Sequence, residues 1–222
     1  MAHTPTTARR PATGPRRTQQ QRRESTRAAL LDATVACLVE HGHAGTTVAD
    51  VLAHAGVARG TLLHHFPTKN DLLAAAVSHV AAQRADRWDA EVAALPARTD
   101  RVDAMVDLAW RDLSSPVFAA ALELWVAART DAELRAALVP VEAHLVGRIR
   151  ESLVAALGPA YADDRRAGTL VQFTIDLLTG LALSTVLTGD TDGGRELVLR
   201  RWKRALRVLF GELDAGSLTR GR

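Results

Sequence analysis

The chain has 222 residues, 47% of them hydrophobic and 24% charged, with a formal net charge of +3. That apolar content supports a proper core and excludes a wholly disordered chain, and the length suits one large domain or a small one plus a medium one. The single cysteine, Cys37, excludes an intramolecular disulfide and suits a reducing compartment, so a cytoplasmic location is expected. The N-terminus is polar and arginine-rich, without the apolar run of a signal peptide. The most apolar stretch, Leu170 to Leu187, carries Gln172 and Asp176, so no membrane span is expected. Charge is unevenly placed. Residues 1–69 hold nine Lys/Arg against four Asp/Glu, whereas residues 70–222 hold 19 against 21. A basic head on a nearly neutral body is the electrostatic footprint of a DNA-binding protein.

In chain order, residues 1–18 contain Arg9, Arg10, Arg16 and Arg17, three prolines and no acidic residue. They read as a disordered basic arm, either a solvated tail or a segment touching DNA phosphates or the minor groove. A first helix is expected from Gln19 to His41, with Leu30, Leu31, Thr34, Val35, Leu38 and Val39 as its apolar stripe and Gly42 as its end. Cys37 on this helix reads as a buried structural thiol. Thr47, with Asp50 three residues on, is an acidic capping box that opens a second helix. Val48, Val51, Leu52 and Ala55 give that helix its periodicity, and Gly56 ends it through the left-handed conformation a residue without Cβ tolerates. A third short helix follows from about Ala58 to His65 and stops at Phe66-Pro67. Two short helices around a tight turn form a helix-turn-helix, whose second helix fits the DNA major groove.

Thr46, Thr47, Val48, Asp50, Ala55, Gly56, Val57, Gly60, Thr61, Leu62, His64, Phe66, Lys69, Leu72 and Leu73 together resemble the DNA-binding segment of TetR-family transcriptional regulators. The motif resemblance covers about Glu24 to Val80; beyond it only the layout agrees. Leu63 and His65 stand where the family usually has tyrosines, Ala58 replaces a serine, and Leu52 replaces a small residue. The resemblance implies an all-α fold of about nine helices. It places a helix-turn-helix domain at 19–68 and an effector-binding and dimerisation domain at 69–215. It implies that Arg59, Gly60, Thr61, His64 and His65 read DNA, with Thr47 and Lys69 at phosphate and Thr46 also among the DNA-binding residues.

After Pro67, Thr68 and Asp71 cap a fourth helix that runs to about Leu95 and links the two parts mechanically. A fifth spans about Asp100 to Leu113. Ser115-Pro116 starts a sixth, which ends near Arg129. Thr130 and Glu133 read as the capping box of a seventh, which reaches Leu157 and should be kinked or interrupted at Pro140. An eighth runs from about Asp163 to Leu187, apolar nearly all round, so it must be buried on more than one side. A ninth follows the loop at residues 190–194 and ends near Leu213, with Leu199, Trp202, Leu206, Leu209 and Leu213 along one seam and arginines opposite.

An enzyme finds little support: there is no phosphate-binding glycine loop and no nucleophile elbow. No cofactor is implied. His41, His43, His54, His64 and His65 lack the spacing of metal ligands, so no metal is expected. Trp88, Trp110, Phe118, Trp125 and Phe173 are ordinary core residues taken singly. With the resemblance, several are expected to line a pocket for an unknown small apolar or aromatic effector, with His144, Gln172 and Asp176 as its polar groups. Leu183, Leu187, Leu199, Trp202 and Leu206 are expected in a homodimer interface. The reading is a ligand-responsive homodimeric repressor that binds double-stranded DNA at a palindromic operator. A DNA-binding regulator without an effector, and a helical enzyme or carrier containing a helix-turn-helix, remain the alternatives.

Overall fold

Short-range hydrogen bonds set most of the helix starts. The computed structural model describes residues 18–96, 100–161, 163–188 and 194–218, without the side chains of residues 186–188 and 217. The arginine arm and Leu187 thus fall outside what is described, except for Thr18. That residue is no part of an arm: its hydroxyl accepts from Gln21 N (3.2 Å), and the Gln21 side chain accepts from Thr18 N (2.9 Å). This capping box opens α1 (Gln19–Gly45). The same reciprocal arrangement opens α2 (Val48–Ala55) through Thr47 and Asp50, and α4 (Lys69–Ala93) through Thr68 and Asp71. Between them, α3 (Arg59–His65) starts at Ala58 with no side-chain cap, as its sequence requires.

The body contains α5 (Arg101–Leu113), α6 (Pro116–Ala128), α7 (Ala132–Leu157), α8 (Ala167–Thr188) and α9 (Gly194–Phe210). No strand occurs among the described residues. Several expected boundaries shift. Asp131, not Thr130, caps α7: its carboxylate accepts from Leu134 N at 2.9 Å. Pro140 neither interrupts nor ends that helix. Pro140 and Ala136 are both exposed, so the carbonyl that loses its helical donor can face water. A 3₁₀ turn at Pro159–Tyr161 and the Asp164 carboxylate, which accepts from Arg166 N (2.8 Å), delay α8 to Ala167. α1 continues past His41, but Gly42 breaks it at φ +67°.

Three apolar clusters hold these helices. Leu30, Leu31, Cys37, Val51, Leu62, Phe66, Leu72 and Ala76 join α1, α2, α3 and the start of α4. Burial holds the Cys37 thiol above its ordinary pKa, with the Asp50 and Glu40 charges adding to the rise; this is an inert structural thiol. A second cluster joins Leu38 of α1 and Leu73 of α4 to Leu124 of α6 and to Leu134 and Leu138 of α7. The third and largest unites α5, α7, α8 and α9 around Met105, Val106, Leu157, Val171, Leu178 and Leu206. α4 lies along α7, and α1 lies against α6.

α8 is buried on one side only in the protomer. Leu170, Val171, Thr174, Leu178 and Ala182 form its buried stripe, while Phe173, Leu177 and Leu183 are 54%, 38% and 49% exposed on the other side. Ala167–Thr185 is long and apolar enough to cross a membrane, with a mean hydropathy of 1.3. Its stripe belongs instead to the core shared with α5 and α7.

Candidate functional site

The helix-turn-helix is a rigid local unit. Gly56 takes φ +64° at the turn, and its N–H donates to Leu52 O at 3.0 Å. Val51, Leu62 and Phe66 are at most 3% exposed and anchor α2 and α3 on α1. This leaves Arg59, Gly60, Leu63 and His64 exposed, with Thr61 and His65 half-buried beside them. A Cβ added at Gly60 would meet nothing within 4 Å, so the fold itself does not require glycine there.

Thr47 is exposed, and its hydroxyl donates to Asp50 Oδ2 at 2.6 Å. That bond, the largest cause, holds the Asp50 carboxyl below its ordinary pKa. Thr46, also expected among the DNA-binding residues, is engaged inside the protein. It is 2% exposed, and its hydroxyl donates to Gly42 O at 2.7 Å, closing the end of α1. Lys69 Nζ donates to Thr46 O at 2.8 Å, so this ammonium ties α4 to the end of α1 and keeps two N–H donors for other acceptors.

Sequence reasoning missed two arginines. Arg23 and Arg27, one turn apart on α1, share a groove with His65. The Arg27 guanidinium lies 5.3 Å from the Phe66 ring centroid. Burial lowers the His65 pKa, and the Arg23, His64 and Arg27 charges lower it further. Two guanidinium groups and the Glu24 carboxylate thus flank the end of α3. The signal available in the sequence was the i, i+4 spacing of the two arginines, which continues the face of the Leu30–Leu31 stripe toward the start of α1.

Within the body, a cavity of about 60 Å³ lies between α1, α4, α6 and α7. Its wall is almost wholly apolar: Val35, Leu38, Val77, Val80, Phe118, Leu124, Trp125, Val146 and Ile149 are among the lining residues. Phe118 and Trp125 stack edge to face, with ring centroids 5.7 Å apart. Two charged side chains reach the wall, Arg84 of α4 and Glu142 of α7. Arg84 Nε donates to Asp112 Oδ1 at 2.6 Å and its Nη2 to Asp112 Oδ2, both side chains being 12% exposed. Trp125 Nε1 donates to Glu142 Oε2 at 3.1 Å. Burial nevertheless keeps the Glu142 carboxyl above its ordinary pKa, against that bond and the charge of Arg84. A second chamber of about 200 Å³ shares Val35, Val80, Arg84 and Val117 with the first and is also lined by Trp88.

Of the expected pocket residues, Phe118 and Trp125 line the inner cavity and Trp88 the outer chamber; the others lie elsewhere. Trp110 packs on the largest core, with Arg195 over its ring at 5.4 Å. Phe173 is exposed on α8, and Gln172 is bonded to Asp176 on the same helix at 3.0 Å. His144 lies at a separate groove between α4 and α7. Two expected interface leucines are also misplaced. Leu206 is 0% and Leu199 8% exposed within the protomer's own core. Trp202 is half-buried, donating from Nε1 to Thr174 Oγ1 at 3.1 Å. Among the expected interface residues whose side chains are described, Leu183 alone is exposed. On α9, which packs on α5, the first part of the seam (Leu199, Trp202 and Leu206) turns into the protomer's core, while Leu209 and Leu213 stay 45% and 39% exposed.

One hydrogen bond ties the cavity wall to the head. Glu123 of α6 accepts from His43 N at 2.7 Å, just past the break in α1. A Cβ at Gly42 would come within 2.5 Å of Glu123 Oε2, so glycine at this position permits the contact.

Residues 30–76 match the family model described as bacterial regulatory proteins, tetR family. An HTH-type transcriptional regulator of Mycobacterium tuberculosis is 33% identical over 168 residues, 75% of this chain and 86% of that protein. The crystal structure of a transcriptional regulator of Pseudomonas aeruginosa PAO1 superposes with a TM-score of 0.61 at 26% identity, covering 90% of this chain and 95% of that one. The multidrug binding protein EbrR, in a crystal structure complexed with ethidium, superposes with a TM-score of 0.58 at 26% identity, covering 81% and 97%. With its capped helix-turn-helix at the N-terminus and its wholly helical body among the described residues, the chain belongs to the TetR family of bacterial regulatory proteins, DNA-binding transcriptional regulators and not enzymes.

Proposed function

We propose that the protein is a homodimeric repressor in the cytoplasm, bound to a palindromic operator and released by a small effector held between α1, α4, α6 and α7. The observation that carries this reading is a shared wall. Val35 and Leu38 of α1 line the cavity, and the same helix supplies Leu30, Leu31 and Cys37 to the core of the DNA-reading head. At about 60 Å³ the cavity is smaller than the ~300–1,000 Å³ usual for ligand pockets. An organic effector must therefore part the helices that line it, and α1, α4 and, through Glu123, α6 all reach the head. EbrR, complexed with ethidium, is a related precedent for a small-molecule site on this fold.

DNA reading is assigned to Arg59, Gly60, Thr61, His64 and His65. Arg59 is suited to a guanine edge, and Thr61 to a base or thymine methyl. The first-turn N–H groups after Thr47, with Lys69, Arg23 and Arg27, are suited to phosphate. Residues 19–68 act as reader and 69–215 as effector and dimerisation unit, with Leu72 and Ala76 completing the reader's core. Dimerisation is assigned to the exposed apolar residues Phe173, Leu177 and Leu183 of α8 with Leu197 and Leu209 of α9. A two-fold four-helix contact would set both readers about 34–36 Å apart, one turn of DNA.

The test is a titration of effector with and without operator. A hundredfold loss of operator affinity needs about 2.7 kcal/mol of coupling, and DNA must then weaken effector binding by the same factor. Equal effector affinity in both titrations would refute the release mechanism, and tighter binding with DNA would make the effector a corepressor.

A further inference from the structure

We infer that the effector is a small organic cation with an aromatic or apolar body, its positive charge held at Glu142. This rests on the effector reading just given and names the ligand class for that cavity.

The argument is a charge account. The inner cavity wall carries one guanidinium and one carboxylate. The guanidinium is already neutralised: Asp112 holds Arg84 by two bonds, both side chains being nearly buried. Glu142 has no such partner among the described residues. Its described hydrogen bond comes from the neutral indole N–H of Trp125. The cavity therefore holds a net charge of −1 when Glu142 is ionised.

An uncompensated carboxylate against apolar walls is unfavourable unless something pairs with it. Burial raises the Glu142 pKa, which is the thermodynamic trace of that cost. A glutamine could accept the same Trp125 bond at no such cost, so the chain keeps a charged group where a neutral one would pack as well. A cationic ligand supplies the missing charge. The Phe118–Trp125 pair beside it offers aromatic faces, which attract cations as well as apolar bodies. An anionic ligand would meet repulsion from Glu142 and find Arg84 occupied.

The charged groups around Glu142 make the pH dependence definite. α4 presents Arg84 and α5 presents Asp112 through it, while α1 and α6 present only apolar and aromatic side chains to the cavity. In the outer chamber lie Arg87 and the Arg111–Glu91 pair at 2.7 Å, with Arg111 68% exposed and screened by solvent. Glu142 is thus the group that titrates inside. Its pKa is raised, so cation affinity falls as pH drops through that raised value and recovers above it.

The experiment uses three probes with one bicyclic aromatic body and charges of +1, 0 and −1: N-methylquinolinium, 1-methylnaphthalene and 1-naphthoate. Calorimetry on the full chain should give the cation at least tenfold higher affinity than the neutral probe at pH 7.5, with the anion weakest. Glu142→Gln should bring the cation within about threefold of the neutral probe. Its melting temperature without ligand should equal or exceed that of the unsubstituted chain, which separates lost charge from lost fold. On the unsubstituted chain the cation preference should shrink on acidification, and the neutral probe should show no such trend. Equal affinity for cation and neutral probe, or a preference that survives Glu142→Gln, overturns the cation assignment and leaves the effector cavity standing. Failure of all three probes to bind, together with operator affinity unchanged by any of them, overturns the cavity and the cation assignment with it.

Discussion

The DNA-reading head and the helical body build their sites in opposite ways. The head is local. Its proposed reading face lies on the seven-residue α3, which is anchored by Leu62 and Phe66 and set by a turn at Gly56 only a few residues away. The body is non-local. Its cavity takes one wall from each of α1, α4, α6 and α7, spread from Val35 to Ile149, and its buried ion pair joins Arg84 to Asp112 across two helices. A local site exposes its working side chains on a helix that other contacts hold. A non-local site exists only while the whole bundle is packed. The head should therefore tolerate change in its reading residues without losing fold, and the body should not tolerate change in its packing residues.

The strongest break of that comparison is in the body. Leu206→Arg places an unpaired charge at a fully buried core position, which is expected to cost more than about 4 kcal/mol and unfold the body. Leu183→Arg, at a half-exposed position on α8, should leave thermal stability within about 0.5 kcal/mol and yield monomers that bind a palindromic operator poorly. Circular dichroism melts and sedimentation velocity separate the two. If both variants were folded monomers, Leu206 would be an interface residue after all; if Leu183→Arg stayed dimeric, α8 would not be the contact.

In the head, Arg59→Ala should cost about 1–3 kcal/mol of operator affinity and relax preference at one base position. Its melting temperature should not move, since Arg59 is exposed and lies outside the head's apolar cluster. Binding to a randomised operator library reads this directly, and unchanged sequence preference would misplace the reading face. A smaller effect of mixed sign is expected at Gly60. Gly60→Ala meets open space within the protein and should raise the stability of α3 by about 0.5–1 kcal/mol through helix propensity. The added methyl group should still weaken operator binding, because glycine lets a nucleic-acid backbone approach closely. Gain in stability with undiminished binding would show that α3 does not approach DNA at this residue.

What could be read from the sequence follows from this division. The reciprocal caps at Thr47–Asp50 and Thr68–Asp71, the Gly56 turn and the short α3 stood in plain order, because each involves residues three or four apart. Asp131 and Thr18 were misjudged by a single position, within the uncertainty of helix ends. In the body, aromatic residues announced a cavity without saying which of them would face it. Phe118 and Trp125 face it, Trp110 and Phe173 do not, and the difference is a rotation of each helix that periodicity does not register. Glu142 and Arg84 gave no sign at all, since a lone charge on a long helix reads as solvated.

By itself, then, the sequence determined the helical class, the family and the extent of α3, because those depend on hydrogen bonds and apolar spacing within a few turns. Only the tertiary structure decided that Leu199 and Leu206 of the α9 seam turn inward while Leu209 does not, that α8 leaves Phe173, Leu177 and Leu183 bare, and that Asp112 neutralises Arg84 while Glu142 meets no cation among the described residues. Those outcomes depend on which helix faces meet, and contacts between distant segments are chosen by the packing of the whole bundle.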